Sequence, residues 1–148
     1  MMPAYGECHD VEIRAPRDRC YDALIDAEAL PRWQRALREA RVLERDADGR
    51  PSVLEYAVDA RVRTVHYRIR QRYFPPDRIA SEYLGGDFRD FGGEWRFVAL
   101  DAERTRVELD LTIDPGRFVP GPVRVLIADA VMRRALADLK AHLETPDH

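Results

Sequence analysis

The sequence predicts an α+β domain in which a curved antiparallel sheet of seven strands closes around a long C-terminal helix, with two short helices after the first strand. Three observations carry this. From Val53 to Asp114, apolar and polar residues alternate in short runs separated by turn residues. From Val123 to Glu144 the period becomes helical, with Val125, Met132, Leu136, Leu139 and Leu143 on one stripe. The chain has 148 residues, a mass of 17.1 kDa and 45% apolar content, the size of a single domain (1–148) with a real core.

Taken in order, the first strand is Tyr5 to Arg14, with Tyr5, His9, Val11 and Ile13 on one face. Pro16 opens a helix over Arg17 to Ile25. A second helical piece covers Ala27 to Leu37 and contains Pro31 and Trp33. Glu39 to Arg45 reads as a strand, and Asp46-Ala47-Asp48-Gly49 as a tight turn. Leu54, Tyr56, Val58, Ala60 and Val62 alternate on the next strand. Val65, Tyr67, Ile69, Gln71 and Tyr73 follow after a turn near Arg63 and Thr64. Pro75-Pro76 ends that strand, and Ile79, Ser81 and Tyr83 continue the inward pattern. The glycine pairs Gly85-Gly86 and Gly92-Gly93 are placed to bend the sheet before Trp95 and Phe97. Val107, Leu109, Leu111 and Ile113 complete it. A sheet with one apolar face must be covered, and a C-terminal helix about 30 Å long is the only element large enough.

The charged residues fit outward positions. This register sets Arg68 opposite Asp59, Arg72 opposite Glu55, Arg70 opposite Glu82 and Arg96 opposite Glu108. His66, Arg68, Arg70 and Arg72 form a basic row, read either as a solvated face of paired charges or as a dock for an acidic partner.

Several classes are excluded. With 24 Lys and Arg against 27 Asp and Glu, net −3, the chain lacks the basic excess of a general nucleic-acid binder. Its two cysteines, Cys8 and Cys20, make no disulfide framework or zinc pair, and neither has a neighbourhood that marks a nucleophile. Its four histidines are scattered, so metal ligation has no support. Nucleotide and flavin motifs are absent, so no cofactor is expected. Neither a signal peptide nor an apolar run of about 18 residues is recognisable, so a cytoplasmic location without stable membrane insertion is expected.

Five phrases carry a family resemblance: VEIRAPRDRCYDALIDAEALPRW (Val11 to Trp33), VLERDADGRP (Val42 to Pro51), YRIRQRYFPPDRI (Tyr67 to Ile79), GGEWRF (Gly92 to Phe97) and ELDLTIDPGRFVPGP (Glu108 to Pro122). Over nearly its whole length the chain resembles the START-like (SRPBCC) superfamily, whose helix-grip fold is shared with the birch pollen allergen. Within it the chain is most similar to the polyketide cyclase/dehydrase and coenzyme-Q-binding-like branch. The resemblance implies an apolar cavity between sheet and helix that holds a lipid, sterol, quinone or polyketide, as monomer or homodimer. An acyl carrier protein is an acidic partner that the row of His66, Arg68, Arg70 and Arg72 would suit. Fold alone does not decide whether the ligand is transformed or only carried.

The residues themselves nominate a site. Trp33, Tyr56, Val58, Ile69, Tyr73, Tyr83, Trp95, Phe97, Met132 and Leu136 are candidates to line a cavity, or to interlock as solid core. Four polar residues are catalytic candidates. His9 is a general acid or base, or else a core histidine bonded to backbone. Gln71 stands where aromatase/cyclases of the family tend to place an arginine, and it orients a ligand carbonyl or binds a neighbouring tyrosine. Asp129, at the edge of the helical stripe, shuttles protons or pairs with Arg133 at i+4. Tyr67 polarises a carbonyl or satisfies its hydroxyl on a neighbour. The expected function is a cofactor-independent cyclase, aromatase or dehydratase. The alternative is a non-catalytic carrier or sensor of an apolar ligand.

Overall fold

The structure, a computed structural model, describes residues 6–59, 64–114, 116 and 121–145, with the side chains of 6–7 and 121–128 outside that description. The expectations for Tyr5, Ala60 and Val62, and for the side chain of Val125, therefore fall outside the described residues. The strands are β1 (Gly6–Ile13), β2 (Leu37–Arg45), β3 (Pro51–Asp59), β4 (Thr64–Phe74), β5 (Arg78–Gly86), β6 (Asp90–Asp101) and β7 (Arg104–Asp114). They form one antiparallel sheet in the order β1-β7-β6-β5-β4-β3-β2. Helix α1 (Arg17–Ile25) and a 3-10 segment (Ala27–Arg32) follow β1, and the long helix α2 (Gly121–Glu144) ends the fold.

Local chemistry explains the boundaries. Pro16 is the N-cap of α1 rather than its first residue, and its carbonyl accepts from the N–H groups of Arg19 and Cys20. The second helical piece is shorter than expected and ends at Arg32, because Pro31 has no N–H to carry the ladder on and Leu37 already pairs with Val58 in the sheet. Gly85 and Gly86 have φ of +133° and +143°, at a register shift between Arg68 and Ile69 on the facing strand. A Cβ on Gly86 would lie 2.5 Å from the His66 carbonyl oxygen, so only glycine lets β5 approach β4 there.

Helix α2 packs against β1 and β7 and runs in the direction of β1. His9 of β1 meets Asp129 near the start of α2, and Arg14 after β1 meets Glu144 at its end. The core beneath it includes Ile13, Ile69, Ile79, Val107, Ile113, Met132 and Leu139, all essentially inaccessible. Two ends of the sheet are thus distinct. One gathers the starts of β1 and α2 with the β3–β4 and β5–β6 connections. At the other, Arg17 of α1 bonds Asp77 in the β4–β5 turn, and Glu28 of the 3-10 segment bonds Arg45.

On the outer face, Arg70 lies opposite Glu82 and Arg96 opposite Glu108, as expected. The β3–β4 register differs: Arg68 is opposite Glu55, and Asp59 pairs with Thr64. Relative to the expected register, the β3–β4 pairing is shifted by four residues. The pairing moves by an even number of residues, so every side chain keeps its face. Arg68 and Arg41 clamp Glu55 at 2.9 and 3.1 Å, Arg72 lies 3.8 Å from Glu82, and His66 lies 3.8 Å from Asp87. Three members of the basic row, His66, Arg68 and Arg72, thus have a carboxylate within 4 Å. Among the described residues no helix is long and apolar enough to cross a membrane, and no group of three or more His, Cys, Asp or Glu is placed to hold a metal ion.

Candidate functional site

The concave face is open in its middle. One row across the sheet runs Gln71, Ser81, Gly93 and Leu111, on β4, β5, β6 and β7. Ser81 and Gly93 are small, and Leu111 packs its side chain over Gly93, so the low part of the row lies around Ser81 and Gln71. On one side lie Tyr73, Ile79, Trp95, Leu109 and His9. On the other, Ile69 pairs with Tyr83 and Phe91 with Ile113. Because α2 sits over β1 and β7, residues Gln71, Ser81, Tyr83, Phe91, Gly93 and Trp95 keep partial exposure on a face that is otherwise core. The hollow in the middle of the concave face thus combines partly exposed aromatic rings with two small or polar residues, Ser81 and Gln71.

At its β1 edge, His9 Nε2 lies 2.8 Å from Asp129 Oδ1. Arg133 Nε donates to both oxygens of the same carboxylate, at 3.0 and 2.9 Å, so the i+4 partner and the imidazole are held together. Both side chains are only partly buried, 19% exposed for His9 and 29% for Asp129, so solvent reaches the pair.

Gln71 is held from two sides. The Tyr73 hydroxyl lies 2.5 Å from the Pro51 carbonyl oxygen and 2.8 Å from the Gln71 amide oxygen, its one proton divided between these acceptors. Gln71 also neighbours the Tyr56 phenol. Burial pushes the phenols of Tyr56, Tyr67 and Tyr73 far above their ordinary range, with neighbouring tyrosines adding to the effect. They are neutral donors throughout the working pH range.

The other expected lining residues divide by burial. Tyr73, Tyr83 and Trp95 flank the hollow and remain partly exposed. Tyr56 and Tyr67 meet edge-on at 5.6 Å beneath it. Ile69, Phe97, Met132 and Leu136 are closed core, Phe97 packing edge-on against Tyr21 at 5.6 Å. Trp33 stacks on His142 with centroids 4.7 Å apart, toward the C-terminal end of α2, and Val58 lies half-buried on β3. Sequence reasoning missed Gly93, Phe91 and Phe88. Gly93 and Phe91 continue the alternation of Phe97 and Trp95, so that signal was present. Phe88 sits in a turn, where no periodicity marks it.

A seven-stranded curved sheet gripping a C-terminal helix, with a hollow between them, defines a helix-grip protein of the START-like superfamily. The chain belongs to the family described as polyketide cyclase / dehydrase and lipid transport, whose sequence profile matches residues 13–140. Among solved structures it is similar to a START superfamily protein from Mycobacterium smegmatis, with 25% identity, a TM-score of 0.87, and coverage of 94% of this chain and 97% of that one. It is also similar to the Zhui aromatase/cyclase from Streptomyces sp. R1128, with 22% identity, a TM-score of 0.80, and coverage of 94% and 93%. A di-domain aromatase/cyclase of the steffimycin biosynthetic pathway shares the fold at 18% identity and a TM-score of 0.76, over 93% of this chain and 44% of that one. No curated protein sequence matches the chain. These similarities support a ligand-binding START-like protein.

Proposed function

We propose that the chain binds a hydrophobic, carbonyl-bearing molecule in the hollow and acts on it as a cofactor-independent cyclase, aromatase or dehydratase. The observation that carries this reading is the His9–Asp129 pair, 2.8 Å apart at the edge of an aromatic-walled depression. Imidazole exchanges protons near neutral pH, and a carboxylate on one ring nitrogen fixes its orientation. Ring closure of a poly-β-keto chain removes a proton from a carbon between two carbonyls and returns one to the oxygen that becomes a hydroxyl. Loss of that hydroxyl as water then gives the dehydrated ring. In this reading His9 moves the proton, Asp129 holds the imidazole, and neutral Tyr67 with Gln71 positions carbonyl oxygens. The walls supply much of the rate by confining a flexible chain in one reactive shape.

A carrier reading is favoured by one observation: Gln71 and Asp129 are already engaged, by Tyr73 and Arg133. Native mass spectrometry of the purified protein, with extraction of whatever it releases, separates the two. A stoichiometric apolar ligand released unchanged after incubation supports carriage. A released cyclised or dehydrated product, lost in His9→Gln, supports catalysis. A clean apo mass, with no uptake of a synthetic triketide thioester, overturns both.

A further inference from the structure

Toward the end of the sheet where β1 begins, a side chain from a turn joins the aromatic wall of the hollow. Phe88, in the β5–β6 connection, stacks on Phe91 at 5.9 Å and tilts against Tyr67 at 5.1 Å. Phe91 in turn lies 4.8 Å from Tyr67 and 6.5 Å from Tyr83. These rings form a single aromatic wall, of which only Phe88 is contributed from outside the strands.

The turn that carries Phe88 is anchored to three strands. On β4, His66 accepts from the Asp87 N–H at 2.8 Å and donates its own N–H to the Asp87 carboxylate at 2.8 Å. On β5, the Tyr83 hydroxyl donates to the Phe88 carbonyl at 2.6 Å. On β7, Asp114 accepts from the Arg89 N–H at 2.7 Å. Gly86, where no Cβ fits, brings the start of the turn against β4. These bonds fix the backbone on both flanks of Phe88, and packing on Tyr67 and Phe91 holds the ring itself.

We infer that Phe88 is a fixed plug that sets the length of the molecule the hollow accepts, a specificity-determining residue for the ligand binding proposed above, on which this inference rests. The Phe88 ring occupies the space through which a longer fused-ring or chain ligand would extend past Tyr83 and Phe91. Shortening it lengthens the hollow past Tyr83 and Phe91 without touching His9, Asp129 or Gln71.

The test uses two fluorescent probes, 2-naphthol and 1-hydroxypyrene, titrated into wild type, Phe88→Leu and Phe88→Ala. Wild type is expected to bind 2-naphthol and to discriminate against 1-hydroxypyrene. The ratio of affinities should move toward 1-hydroxypyrene by about tenfold in Phe88→Ala and by less in Phe88→Leu, since filling or vacating a ring-sized apolar space changes discrimination at least that much. Circular dichroism checks folding, and Phe88→Leu serves if the alanine variant does not fold. Saturable binding of both probes with an unchanged ratio overturns the plug and leaves the hollow intact. An equal gain for both probes also overturns it, since that is the signature of a loosened turn. Failure of every protein to bind either probe overturns the ligand-binding reading itself.

Discussion

At the scale of single residues, His9 and Asp129 matter as a pair. Each was readable as a separate candidate, one on the inward face of the first strand and the other at the edge of the helical stripe. Their contact depends on how far along α2 the helix lies over β1, which no local pattern encodes. Arg133 Nε donates to both oxygens of Asp129, so the carboxyl group that meets the imidazole is also held in place from its own helix. If His9 is the proton carrier, His9→Gln should slow cyclisation of a synthetic triketide thioester by about 10²–10⁴-fold. Asp129→Asn, which keeps shape and loses charge, should fall between that variant and wild type. Arg133→Gln should change the rate little, because Arg133 is 67% exposed and water can replace it. Unchanged turnover in both His9→Gln and Asp129→Asn would remove the pair from the chemistry. Gln71 shows the opposite legibility: its inward position was clear from the alternation, but its bond to Tyr73 required knowing that Tyr73 also reaches Pro51 across the sheet.

At the scale of elements, alternation and helical spacing revealed nearly every strand and both α-helices, because a half-buried sheet imposes a period of two and a packed helix one of 3.6. Where the reading slipped, the cause was a connection rather than a pattern. The β3–β4 pairing depends on where the turn is centred, and Arg68 would satisfy Asp59 or Glu55 equally well on paper. Curvature is the other element-level property, and the two adjacent glycines separate its causes. Both adopt a left-handed φ, but a Cβ on Gly85 meets nothing within 4 Å whereas one on Gly86 meets backbone at 2.5 Å. Gly86→Ala should therefore cost more than Gly85→Ala: the first adds a clash to backbone strain of about 1–3 kcal/mol, and the second carries the strain alone. Thermal denaturation of the two variants checks this, and equal melting temperatures would mean that β5 does not need its close approach to β4. Only Gly86→Ala should also disturb probe discrimination by Phe88, since it moves the turn that carries the ring.

At the scale of the whole molecule, the outer shell of the sheet is a lattice of ion pairs that ties stability to acid. Arg96 reaches Glu94 at 2.8 Å and Glu108 at 3.0 Å, and Arg106 reaches Glu108 at 3.2 Å. The Arg96 hydrogen bond holds the Glu108 carboxyl below the usual range, as Arg68 does for Glu55 and Lys140 for Glu144. A carboxylate with a lowered folded pKa contributes stability above the ordinary glutamate value, about 4.3, and loses it as pH falls below that value through the folded one. The melting temperature should thus hold steady from pH 7 to about 5 and decline below it. Arg96→Gln should lower the melting temperature at pH 7. Its deficit against wild type should shrink through the same acid window, because protonated Glu108 no longer gains from the guanidinium. A deficit that stays constant down to pH 3 would show that Arg96 stabilises the sheet by packing its stem over the outer face, with the charge lattice contributing nothing measurable.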